Sequence, residues 1–282
     1  MPEELARLYE EHLRSLGKYD EARNDSPADR EIVGGPSDTE TVRHFTHRFA
    51  ASMVRIEYLV LDPASQFKDI PSDLLVTLSD GRAAILDAPC GAGAGIISLL
   101  GTVAELRDAH CAPTLPLTLH VTAGDCSAKA LQLYGQLLER LRPWLNRQAI
   151  TITWNTEHWD ATQPNSTAEL VDIWFRNTAR AEEHLVLIAA FSGAGDRLFQ
   201  DCSRSFQHIA ERLHDKRGKI LWVEPQWGKG ERFFEKVERL FTAMPWFDSR
   251  DAGSLSGAFD WLHPIKNVII QGSVLVRKYS RG

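Results

Sequence analysis

The sequence lacks the features that mark metal-binding, secreted and membrane proteins. Only four of its 282 residues are cysteine (Cys90, Cys111, Cys126 and Cys202), and no two form a C-x-x-C pair. That spacing gives no support to a zinc or iron–sulfur site, so no metal is expected. Scattered unpaired thiols read as the reduced cysteines of a cytoplasmic protein. No apolar run reaches the roughly 18 residues that a membrane-spanning helix needs. The opening Met1-Pro2-Glu3-Glu4 is acidic, and no apolar stretch there reads as a signal peptide. There is no internal repeat and no low-complexity tract. Basic charge is not in excess either: 32 Lys and Arg against 38 Asp and Glu give a formal net charge of -6. Such a surface repels nucleic-acid phosphates at long range, which weighs against a DNA or RNA substrate but leaves a local basic groove open.

What remains has the composition of a globular chain, 43% hydrophobic and 25% charged, which argues against disorder. Its two parts differ in pattern. Residues 1–80 show helical spacing without strands, as in Leu5, Leu8, Tyr9 and Leu13. A polar stretch from Tyr19 to Thr39 follows, with turn signals at Asn24-Asp25-Ser26-Pro27 and Gly34-Gly35-Pro36. Ser37 with Glu40 three positions later reads as a capping box. It opens a helix whose apolar face is Val42, Phe45, Phe49, Met53 and Ile56. Arg43, His44, His47, Arg48 and Arg55 lie mostly off that face: a solvated side, or a grip for an anionic substrate. This segment is expected to form a helical cap ahead of a second domain at 81–282.

From Ala83 onward, apolar strands alternate with helices. Strands are expected at Ala83–Asp87, Leu117–Gly124, Ile150–Trp154, Leu185–Phe191 and Lys219–Val223, with strand-like residues again from Val268 to Tyr279, broken by Gly272. Helices are expected at Gly95–Leu106, Ser127–Leu141, Arg197–His214 and Gly230–Ala243. The pattern implies an α/β fold with a doubly wound, mostly parallel Rossmann-like sheet.

The strongest local signal is the run from Leu86 through Asp87, Ala88, Pro89, Cys90, Gly91, Ala92, Gly93 and Ala94 to Gly95: strand, glycine turn, helix start. Glycines let a ligand approach the backbone, and a helix N-terminus offers free N–H groups. The second strand ends at Gly124-Asp125-Cys126-Ser127, and the third is followed by His158-Trp159-Asp160-Ala161. An acid after the second strand can accept ribose hydroxyls. One after the third can accept from an exocyclic amine, with Trp159 or His158 over the ring face. Each acid also has a plainer role: Asp87 tying the turn, Asp125 capping a helix, Asp160 in a solvated loop.

This order resembles the class I S-adenosyl-L-methionine (SAM)-dependent methyltransferases from about Ala83 to the C-terminus. By that resemblance, Asp87, Ala88, Pro89, Cys90, Gly91, Gly93 and Gly95 hold the methionine end of SAM. Asp125, Cys126 and Ser127 meet the ribose, and Trp159, Asp160 and Ala161 meet adenine. The spacers Asp108–Pro116 and Thr162–Glu183 are long for the pattern. The rival ligand is NAD(P). However, the third glycine comes one position early for G-x-G-x-x-G, Asp125 lies too far along, and the turn has no basic partner for a pyrophosphate.

The resemblance places the methyl acceptor above the ends of strands four and five, near Phe191, Ser192 and Trp227. Neither end has an Asn/Asp-Pro-Pro-aromatic or Pro-Cys signature. Glu224 is the candidate catalytic acid or base. Trp222, Trp227, Trp246 and Trp261 read as core packing, an acceptor wall or a protein interface. A small-molecule acceptor is favoured over protein or RNA, and a protein partner or homo-oligomer stays open. The alternative from another class is a SAM-fold subunit without independent catalysis.

Overall fold

Ala83 and Ile85 are buried on one side of a sheet, and Ala84, Leu86 and Ala88 on the other. A strand buried on both faces reads as the continuous apolar run seen in the sequence. The computed structural model describes residues 1–24, 35, 37–191, 195–214, 216, 218–226, 235, 236, 239 and 254–280. The expected helix at Gly230–Ala243 lies largely outside them, as do Ser192, Trp227, Trp246 and most of the 24–36 turn region.

Among the described residues, four helices come first: α1 (Glu3–Ser15), α2 (Tyr19–Arg23), α3 (Asp38–Leu61) and α4 (Ile70–Thr77). Then β1 (Gly81–Asp87), α5 (Ala94–Asp108), β2 (Leu117–Asp125), α6 (Ala128–Arg147), β3 (Ile150–His158), α7 (Pro164–Asn177), β4 (Glu183–Ala189), α8 (Gly195–His214) and β5 (Gly218–Glu224) alternate. A hairpin, β6 (Leu255–Leu262) and β7 (Ile269–Ser280), follows. The sheet has seven strands in the order β3-β2-β1-β4-β5-β7-β6. β1 to β5 pair in parallel, and β7 is antiparallel to both β5 and β6. This is a Rossmann-like α/β sheet, covered on both faces. One face buries its core with α1, α3, α4, α5 and α6, the other with α7 and α8. Among the described residues no helix is long and apolar enough to cross a membrane.

The expected α3 face is the buried one at Phe45, Phe49, Met53 and Ile56. Ser37 caps α3 by accepting the Glu40 N–H at 3.3 Å. α1 buries Leu5, Leu8, Tyr9 and Leu13 in the cluster that also holds Ile85, Ile96 and Leu133. The helices before β1 therefore share one core with the sheet.

Two elements add to those expected from the sequence. The spacer Thr162–Glu183 holds α7, which begins at Pro164, a residue suited to a first helical turn. The expected C-terminal strand is β7, and a further strand ahead of it, β6, pairs along it from Leu255↔Val276 to Leu262↔Ile269. Gly272 does not break β7. It stands opposite Phe259, whose ring covers it so closely that a Cβ there would lie 2.5 Å from the ring.

Candidate cofactor and acceptor site

The chain leaves β1 for β2 and β3 on one side and returns to β4 on the other. Ligands of open α/β sheets bind at such a switch point, outside the carboxyl ends of the strands. The glycine turn sits there. Its frame is backbone: Ala88 N–H donates to Leu187 O (3.2 Å), Cys90 N–H to Gly124 O (2.9 Å) and Gly93 N–H to Cys90 O (2.9 Å). The Ala88–Pro89 bond is cis.

The glycines serve different ends. Gly91 has φ +51°, and a Cβ there would meet nothing within 4 Å, so its backbone faces open space. Gly93 has φ +92°, and a Cβ would press on the Tyr134 ring at 2.9 Å. Gly95 lets α5 pack against Leu187. Only Gly91 leaves room for a ligand. Gly93→Ala should therefore cost about 1–3 kcal/mol, from overpacking and the left-handed backbone. Urea unfolding checks this; an unchanged midpoint would mean that Tyr134 yields freely. Gly93 also begins α5 without a side-chain cap, leaving the first N–H groups of the helix to other acceptors.

Three acids surround the turn. Asp87, at the end of β1, is buried, and burial drives its pKa well above the usual carboxylate range. Tyr134 offsets part of that rise and Asp125 adds to it. The Tyr134 hydroxyl does not reach hydrogen-bond geometry, and Asp87 Oδ2 has no hydrogen-bond partner among the described residues. Asp125, at the end of β2, accepts from Gly91 N–H through Oδ2 (2.9 Å) and from Ser127 N–H through Oδ1 (2.9 Å). Burial raises its pKa, and those two backbone donors pull it back. Asp125 thus fastens the glycine turn to β2. It is not a helix cap, because Ser127 takes that place by accepting the Ala130 N–H at 3.2 Å. Cys126 is exposed beside it.

Ser127 also bonds to Thr41 of α3 at 2.7 Å, and Thr41 donates to Gly35 O at 3.0 Å. A hydroxyl relay so ties the N-terminal segment to the end of β2. Ser127→Ala removes both cap and relay and should cost about 0.5–2 kcal/mol. A melting curve within error of wild type would show that the cap is dispensable.

Asp160 is half-buried and forms a turn, accepting from Thr162 N–H (2.9 Å) and Thr162 Oγ1 (2.7 Å) through Oδ1. Its Oδ2 makes no hydrogen bond with the described residues. Ala161 is partly buried next to it. Trp159 is a correction. Its indole is in the core, donating to Thr167 Oγ1 at 2.9 Å and meeting Phe206 edge-on, so it does not cover a ring in the crevice. The exposed neighbour is His158, close enough to Asp125 to lower its pKa.

On the acceptor side, Phe191 also packs inward, edge-on to Phe206 and Trp222. Glu224 is fully buried. Its Oε1 accepts from Phe191 N–H and Trp222 Nε1, each at 2.8 Å, so it joins the ends of β4 and β5. Between them Ala190 holds φ +57° and is exposed. Backbone held in this region concentrates at functional sites. Sequence reasoning missed Tyr134, the buried neighbour of Asp87, because an apolar-face tyrosine on α6 carries no motif.

No family model matches the sequence, and no curated protein matches it. Some solved structures are similar in part. One, from work on the conversion of a disulfide bond into a thioacetal group during echinomycin biosynthesis, is 13% identical. That match covers 72% of this chain and 76% of the other, with a TM-score of 0.32. Another is a modification subunit of a putative type I restriction enzyme from Vibrio vulnificus YJ016, 15% identical with a TM-score of 0.36. It is matched over 98% of this chain, which spans only 49% of that subunit. Likenesses this low carry no functional weight beside the strand order and the site.

Proposed function

We propose that the chain is a SAM-dependent methyltransferase, with its cofactor over the Gly91 turn and a small organic acceptor above the ends of β4 and β5. The observation that carries this reading is the pair of buried carboxylates, Asp87 and Asp125, beside an open glycine turn without a basic side chain. Buried like charges are costly without a counter-charge. A ligand with a sulfonium and an ammonium supplies one, whereas a pyrophosphate adds more negative charge. The orphaned Asp87 Oδ2 and the open face of Gly91 therefore fit SAM and oppose NAD(P).

Asp125 keeps one lone pair on each oxygen for ribose hydroxyls while holding the turn. Asp160 Oδ2 is free to accept from an exocyclic amine. The bound cofactor supplies an already activated methyl group. The protein's task is then to align the acceptor and exclude water. A buried, doubly engaged Glu224 suits a positioning role and an acceptor such as an amine, which needs desolvation and a lost proton more than a strong base.

The test is transfer of tritium from methyl-labelled SAM into an extract separated into small-molecule and macromolecular fractions. Label in the small fraction supports the reading. Label only in protein or RNA overturns the acceptor class. Tight SAM binding without transfer to either fraction would favour a SAM-binding subunit.

A further inference from the structure

Arg55 lies on α3, where its Nε donates to Ser273 O of β7 at 3.0 Å. In the antiparallel register, Leu275 stands opposite Glu224, so Ser273 is just beyond the carboxyl end of β5. Arg55 therefore sits at the acceptor edge of the sheet. The residue is only 9% exposed, its one hydrogen bond with described residues is the Nε contact, and its two terminal nitrogens are not sealed from solvent. It forms no ion pair with Glu224, although that carboxylate is near enough to favour its charge. Burial lowers the guanidinium pKa to about 10, so it stays protonated at neutral pH.

A guanidinium set this deep with one of its five donors engaged leaves its outer fork of N–H groups open to a ligand from the solvent side. Its surroundings select the missing partner. Arg48 adds positive potential, Glu224 opposes it, and His44 is neutral because burial, then Arg48 and Arg55, push its pKa down to about 4. Among the described residues, the local balance fits one negative charge better than two.

We propose that the two terminal nitrogens of Arg55 bind a carboxylate of the methyl acceptor, anchoring it over the end of β5. Guanidinium and carboxylate match as a two-point fork, which fixes orientation as well as attraction. This rests on the proposed function for the word acceptor, but the anion site can be tested apart from it.

The experiment is calorimetric titration of the full chain and its Arg55→Gln variant with benzoate, benzamide, phenyl phosphate and, separately, SAM. Wild type should bind benzoate saturably and at least tenfold more tightly than benzamide, which is about 1.4 kcal/mol. Arg55→Gln should lose that preference and keep its SAM affinity. The wild-type comparison decides the matter even if the variant does not fold. No benzoate binding, equal binding of benzamide, an undiminished preference in a folded Arg55→Gln, or tighter binding of phenyl phosphate would each overturn the carboxylate site. Loss of SAM binding in wild type with the benzoate site intact would overturn the cofactor reading alone.

Discussion

Asp87→Asn should raise the melting temperature of the ligand-free protein and at the same time weaken SAM binding at least tenfold. Both effects have one cause. The folded state holds the Asp87 pKa well above its unfolded value, chiefly through burial. Between those two values the folded chain binds more protons than the unfolded one, so stability falls as pH rises through the window. The penalty is absent below the ordinary carboxylate pKa of about 4 and fully present above the raised folded value. Asparagine removes the charge and nearly keeps the shape. Its stabilising effect should therefore be absent in acid, grow with pH and then level off. Cofactor affinity moves the other way, because the lost charge is the one a cationic ligand needs. Thermal melts from pH 4 to 8 with calorimetry at pH 7.5 measure both. A variant less stable at neutral pH, or one with full SAM affinity, would show that Asp87 is held for the protein's own packing.

Asp125→Ala should lose SAM as well, but with the opposite effect on the fold. Its carboxylate satisfies two backbone donors, Gly91 N–H and Ser127 N–H. Hydrogen bonds to a charged acceptor contribute about 1.5–3 kcal/mol each and are not strictly additive, and burial of the carboxylate offsets part of that, so about 1–3 kcal/mol of stability should be lost. The glycine turn then keeps only its Cys90 N–H to Gly124 O bond to β2, and the cofactor face loses part of its shape along with its acceptor. Asp125→Asn separates the parts, since an amide oxygen can accept from one donor but not serve both. It should fall between wild type and alanine in urea midpoint. An alanine variant of wild-type stability would mean that water replaces the carboxylate at no cost. Two acids on adjacent strands thus have opposite stability signs with the same functional sign, which generic damage to the fold does not produce.

The sheet was legible in the sequence wherever strands were buried on both faces, as in Leu185–Ile188, because continuous apolar runs have no competing reading. The strand β6 was not. Only alternate residues, Gly257, Phe259, Trp261, are buried along it, and one of those is glycine. The helix α7 was hidden by a polar first turn after Pro164, although Leu170, Val171 and Trp174 carry its buried face. At the site, the positions of Asp87, Asp125 and Asp160 followed from strand order. Their hydrogen bonds did not, since the same spacing suits a ligand contact, a cap or a turn. The two aromatics, Trp159 and Phe191, misled for a related reason: sequence places a side chain at a strand end without saying which way it turns. The sequence shows Arg55 only as part of a basic helix side. Its depth depends on β7, more than 200 residues away.

The central claim is that the crevice at β1 and β4 binds a cationic adenosyl ligand. Isothermal titration of the full chain with SAM, beside a tryptophan-fluorescence titration with NADH, tests it most directly. One SAM per chain with micromolar affinity, roughly 8 kcal/mol, and no response to NADH is the predicted result. Saturable quenching by NADH with no heat from SAM would contradict it.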